Sequence, residues 1–219
     1  MADTTFRLSA ESNRGMRMDR QFEIAATQLI DTGKQLSAKG LVPATSGNFS
    51  IKLPSHDLAI TISDVDKGNF QMQDIMRTDR NGESYDQRIP STETLLHIQI
   101  YNRFPDANAV LHVHSLNSTV LSQISMPHIT LENYELLKVF PGIKTHDTQI
   151  NVPVFENNQW MASLAKLVDE YMDKDTGIFA YLIAGHGLYI WDHTIQHTLI
   201  QIETLEDLFS CELLKMRTA

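Results

Sequence analysis

A chain of 219 residues, 42% of them hydrophobic, can bury one sizeable core and reads as one large domain rather than two small ones. Its formal charge of −9 argues against nucleic acid or an anionic membrane surface as a partner, but leaves room for a small phosphorylated ligand. The single cysteine, Cys211, excludes an intrachain disulfide and a cysteine-rich zinc site and fits a reducing, cytoplasmic compartment, and no apolar run approaches the ~20 residues of a membrane span.

Residues 1–18 are polar and mixed in charge, without the apolar middle of a secretory signal, and are expected to form a loosely ordered arm ahead of a single domain over 19–219. From Asp19 to Lys39, Phe22, Ala25, Ala26, Leu29, Ile30 and Leu36 recur at helical spacing, and Gly40 is a stop signal. The run Thr45-Ser46-Gly47-Asn48 then places hydroxyls, a glycine and an amide in a turn leading into a short strand. Such a turn can aim N–H groups and hydroxyls at an anion.

Leu58 to Ser63 reads as a strand, followed by a loop carrying Lys67, a candidate phosphate contact. The polar stretch from Asn69 to Arg88 has Asn81-Gly82 as a hairpin tip. Pro90-Ser91-Thr92-Glu93 opens a helix to about Arg103, with Ser91 or Thr92 as its cap. Hydroxyls and free N–H groups at a helix start also suit a phosphate. Glu93 suits the helix dipole, and its functional reading is an acid beside a metal.

Ala109 to Ser115 is a strand in which His112 and His114 share a face, opposite Leu111 and Val113. Two imidazoles so placed can share a metal ion. A short helix is expected over Ser115 to Ser125. In Ile129 to Lys138, Glu132 and Glu135 would face the same way if the segment were helical. Asn151 to Phe155 reads as a strand, and Gln159 to Met172 as a helix with Trp160, Leu164, Leu167, Val168 and Tyr171 inward. Two apolar runs, Ile178–Ala184 and Leu188–Trp191, flank Gly185-His186-Gly187, where the backbone turns tightly and can approach a ligand. His186 is the expected third metal ligand, with His128 and His146 as rivals on loops. His193 and His197, four apart, lack the glutamate of the zinc-protease pattern and are expected to be structural or surface histidines. A long helix from Thr194 to Met216 closes the chain. Three histidines with an open position make a catalytic rather than a structural zinc site.

Thr45-Ser46-Gly47-Asn48, Pro90-Ser91-Thr92-Glu93, His112-Val113-His114 and Gly185-His186-Gly187-Leu188, in that order, resemble the class II aldolase family over nearly the whole chain beyond the arm. The resemblance implies an α/β fold, three-layer α/β/α with a largely antiparallel central sheet, and a homotetramer with active sites at subunit interfaces. It implies one Zn2+ per subunit on His112, His114 and His186, with Glu93 beside it. The substrate phosphate would lie against Ser46, Gly47, Asn48, Ser91, Thr92 and Lys67. Tyr134-Glu135-Leu136-Leu137-Lys138 and the run Asn151 to Asn157 resemble the family's dehydratase branch, which removes water from a phosphorylated ketose in methionine salvage and uses a glutamate matching Glu135 as acid/base. The aldolases of the family use tyrosines instead, one near the chain end, and here no tyrosine follows Tyr189. The alternatives within the family are a sugar-phosphate aldolase, a ribulose-phosphate epimerase or a non-catalytic adducin-like module.

Overall fold

The computed structural model describes residues 2–218, with side chains from Asp19 onward. Eight strands form one sheet: β1 (Asn48–Lys52), β2 (Leu58–Thr61), β3 (Ile75–Thr78), β4 (Ala109–Val113), β5 (His128–Glu132), β6 (Gln149–Phe155), β7 (Ala180–Ile183) and β8 (Gly187–Asp192). Their order across the sheet is β3-β2-β1-β4-β8-β7-β6-β5. Every neighbouring pair is antiparallel except β6 and β7. The described residues also form five α-helices: α1 (Ala2–Ala38), α2 (Thr94–Arg103), α3 (Leu116–Ile124), α4 (Met161–Met172) and α5 (Ile195–Thr218).

Strand β4 shows why the molecule has three layers. All five of its residues are buried, so both of its faces must be covered. Ala109, Leu111 and Val113 join an apolar cluster with Leu29 of α1, Leu121 of α3 and Leu205 of α5. Val110, on the other face, joins a cluster with Leu96 of α2 and Leu164 and Val168 of α4. Three helices therefore cover one face and two the other, and His112 shares the face of Val110.

Helix α1 begins at Ala2, within the segment expected as an arm. Several expectations meet corrections. The polar stretch after Asn69 contains a 3-10 turn, Met72–Asp74, and an edge strand, β3, whose Ile75 and Met76 are buried. Its hairpin tip is as expected: Gly82 has φ +89°, and Asp79 accepts from the N–H groups of Asn81 and Glu83. Glu132 and Glu135 do not share a helix, because Glu132 ends β5 and Glu135 begins a separate 3-10 turn. Trp160 is 79% exposed rather than inward: it is the cap residue of α4, outside the helical repeat that buries Leu164 and Val168. Leu167 is likewise exposed.

Candidate metal centre

Three separate elements bring the chemistry together. Glu93 is the cap residue of α2. His112 is the penultimate residue of β4, and His114 lies just past the ladder, its N–H donating to the Leu41 carbonyl at 3.0 Å. His186 sits in the three-residue turn between β7 and β8, where Ile183 pairs with Gly187. The glycines flanking it are required for different reasons. Gly185 has φ +63°, a conformation costly for any residue with a Cβ. A Cβ on Gly187 would stand 2.1 Å from the Val113 carbonyl oxygen and 3.2 Å from Cε1 of His112.

One donor atom from each of Glu93, His112, His114 and His186 lies within 4.8 Å of the others. Nε2 of His112 and Nε2 of His114 are 2.8 Å apart. Glu93 Oε1 is 3.2 Å from His186 Nε2 and 3.6 Å from His112 Nε2. His112 Nδ1 faces the Leu188 carbonyl at 3.0 Å. A carbonyl only accepts, so Nδ1 carries the proton and the Nε2 lone pair points into the group. Burial pushes the His112 imidazole well below its usual range, and the neighbouring His114 and His186 add to that. Burial, then His186, lowers His114 to about 4. Burial of Glu93 opposes its ionisation, but His112, His186 and His114 outweigh it and hold the carboxyl at about 2. Imidazole nitrogens beside an ionised carboxylate form an electron-rich pocket without thiolates. That donor set fits a divalent cation of the zinc type.

A buried polar layer, which the sequence reading missed, lies behind this group. Tyr189 pairs with His112 across the β4–β8 ladder and stacks on its ring at 3.9 Å between centroids. Tyr181 stacks on Tyr189 in turn, at 5.0 Å. His97 is fully buried, with Nδ1 2.7 Å from the Ser50 hydroxyl, which also meets Tyr101 Oη at 2.8 Å. The signal available in the sequence was His97 four residues after Glu93, on the same face of α2.

The other expected site residues are dispersed. Gly47 has φ +85° and packs on the backbone of His112, where a Cβ would come within 2.8 Å of the carbonyl oxygen. Asn48 is buried and pairs with His112 in the β1–β4 ladder. The buried Oγ of Ser46 has no hydrogen-bond partner. Gly47 and Asn48 therefore adjoin the histidine group. Neither Ser91 nor Thr92 caps α2. Ser91 sits in the preceding turn, its Oγ accepting from Glu93 N–H at 3.2 Å, and Thr92 is exposed. Lys67 is fully buried, and its Nζ donates to the carbonyls of Val65 at 2.7 Å and Thr45 at 3.3 Å, bracing the Ser46–Asn48 turn from behind. Burial lowers its pKa, against the pull of Glu93 and Asp64. Glu135 lies outside the group, with an exposed side chain paired with Lys138 and 3.6 Å from His146. His128 and His146 are exposed and not part of the group.

The same layered fold occurs in L-fuculose 1-phosphate aldolase, with a TM-score of 0.75 at 25% identity over 89% of this chain and 87% of that one. YgbL of Klebsiella pneumoniae matches with a TM-score of 0.75 at 22% identity, over 87% of this chain and 89% of that one. Fold and donor group together define a class II aldolase architecture. Residues 27–213 match the class II aldolase and adducin N-terminal domain, and the chain belongs to that family. Among curated proteins it is 48% identical to methylthioribulose-1-phosphate dehydratase of Methylococcus capsulatus, over 89% of this chain and 95% of that protein. It is 42% identical to the enzyme of the same name from Pseudomonas fluorescens, over 87% and 93%.

Proposed function

We propose that this chain is a hydro-lyase that dehydrates 5-methylthioribulose 1-phosphate to 2,3-diketo-5-methylthiopentyl 1-phosphate in the methionine salvage pathway. The observation that carries the reading is the convergence of His112, His114, His186 and Glu93 on one point, in a chain whose nearly full-length relatives bear that enzyme's name. Zn2+, one per subunit on the three histidines, would polarise the ketose carbonyl and favour negative charge on the neighbouring oxygens.

The chain's own residues supply the rest. The Ser46–Asn48 turn offers N–H groups, the unpartnered Ser46 hydroxyl and an amide to the phosphate, joined by Ser91 and Thr92 before α2. Lys67 has a third N–H donor beyond the two it spends on carbonyls, and its charge favours an anion beside that turn. Glu135 is the acid/base. It takes the proton from C3 and returns one to the C4 hydroxyl, which leaves as water, and the enol left behind rearranges to the diketone. Glu93, ionised and beside three imidazoles, holds the ligands in place and resists protonation. Glu135 stands exposed and away from its own chain's histidine group, so this role requires an active site completed across a subunit interface, in a homotetramer. No helix among the described residues is long and apolar enough to cross a membrane, and the lone exposed Cys211 suits the cytoplasm. The catalytic domain runs over 19–219.

An aldolase of the same fold would share the metal group but break the C3–C4 bond, and a ribulose-phosphate epimerase would invert a carbon. Incubating the protein with 5-methylthioribulose 1-phosphate and with other phosphorylated ketoses distinguishes them by product. Water loss from the methylthio substrate supports the dehydratase, whereas cleavage or inversion alone rejects it. Glu135→Gln is expected to abolish water loss with the metal retained, and a fully active variant removes Glu135 from the mechanism. An adducin-like module would turn over none of these substrates.

A further inference from the structure

We propose that Asp192, His193 and His197 form a second divalent-metal site, at the end of the β4–β8 ladder opposite the first. One donor atom from each lies within 4.8 Å of the others. Asp192 Oδ1 is 3.0 Å from His193 Nε2, and the two imidazole centroids are 6.3 Å apart. The ladder separates the two groups: Val113 and Leu188 pair at the end beside His114 and His186, and Ala109 and Asp192 pair at the other.

The site is built rather than incidental. Asp192 is 7% exposed, and its carboxylate is fixed from behind: Gln201 Nε2 donates to Oδ2 at 2.7 Å, and the His193 N–H donates to Oδ1 at 2.6 Å. That is the outer support that orients a ligating carboxylate. His197 stands on the first turn of α5, where its N–H donates to the Thr194 hydroxyl at 3.2 Å. The side chain of His193 is 63% exposed, so an ion can enter from solvent. Two imidazoles and a carboxylate without thiolate suit zinc, cobalt or nickel rather than calcium or magnesium. The positive end of the α5 dipole opposes a cation here and the Asp192 charge offsets it, so this ion binds less tightly than the one held by the three buried or half-buried histidines.

The site is independent of the proposed dehydration, and so is its test. Untagged full-length protein, stripped with chelator, is dialysed against Co2+ or Zn2+ and its bound metal counted by mass spectrometry. The His193→Ala/His197→Ala double variant changes two exposed side chains and is expected to carry one ion per subunit fewer than wild type, with its dehydratase activity unchanged. Asp192→Asn, which keeps both imidazoles, is expected to weaken the second ion about tenfold or more. Equal metal content in wild type and the double variant overturns the proposal. Unchanged affinity in a folded Asp192→Asn protein also overturns it, reducing the group to a two-histidine surface chelate.

Discussion

Gly187→Ala is a severe test of how the fold positions the three histidines. Gly187 begins β8 directly after His186, and a Cβ there would stand 2.1 Å from the Val113 carbonyl oxygen, an atom of the neighbouring strand that cannot rotate away. Restoring a 3.0 Å separation needs about 0.9 Å of movement between β4 and β8 at the point where His112, His114 and His186 meet. Overpacking of this kind costs about 1–3 kcal/mol. For a domain of this size, that lowers Tm by roughly 2–12 °C. A displacement near 1 Å at a reacting centre also costs on the order of a hundredfold in rate. The control is Gly40→Ala: Gly40 has φ +71° and open space around it, so the variant bears only the left-handed backbone cost, about 1–2 kcal/mol, with activity unchanged. Thermal unfolding and the dehydration rate of both variants decide the matter. A Gly187→Ala enzyme as fast as Gly40→Ala would refute the claim that this close strand approach sets the ligand geometry.

Further perturbations have definite signs. His97, buried and lowered to about 4 by burial, binds its proton in the unfolded chain near 6.5 before it does so in the folded one. Stability from this group is therefore complete above pH 6.5 and falls by about 3 kcal/mol as pH drops to 4, and His97→Gln should flatten that acid limb in denaturant unfolding. Glu206 has the opposite sign. Burial raises its carboxyl to about 7 despite hydrogen bonds from Ser115 and Asn117, so the folded state holds a proton that the unfolded state has released above pH 4.5. Its contribution is present below that value and lost as pH rises through 7, and Glu206→Gln should gain stability relative to wild type at pH 8. Leu111→Ala removes a fully buried side chain from the face of β4 covered by α1, α3 and α5 and should cost about 2–5 kcal/mol, measured by the same unfolding curves.

The convergence of the histidines was legible because each part leaves a local mark: alternation puts His112 and His114 on one side, and paired glycines expose His186 at a turn. What sequence spacing does not encode is where distant segments meet. Asp192 directly follows the apolar run Leu188–Trp191 and precedes His193, and the turn into α5 brings His197 to the pair. Glu135, expected from the resemblance as the acid/base, lies away from the histidines, since β5 and the turn after it form the far edge of the sheet. Strand β3 was hidden because it is short and follows polar residues, and Trp160 was misplaced because the helical repeat starts one residue later.

The central claim is that three imidazoles from two distant parts of the chain hold one ion. The most direct measurement is the metal content of purified His186→Ala against wild type. The account predicts one divalent ion per subunit fewer and no water loss from 5-methylthioribulose 1-phosphate; a folded His186→Ala protein with its full complement of metal would contradict it.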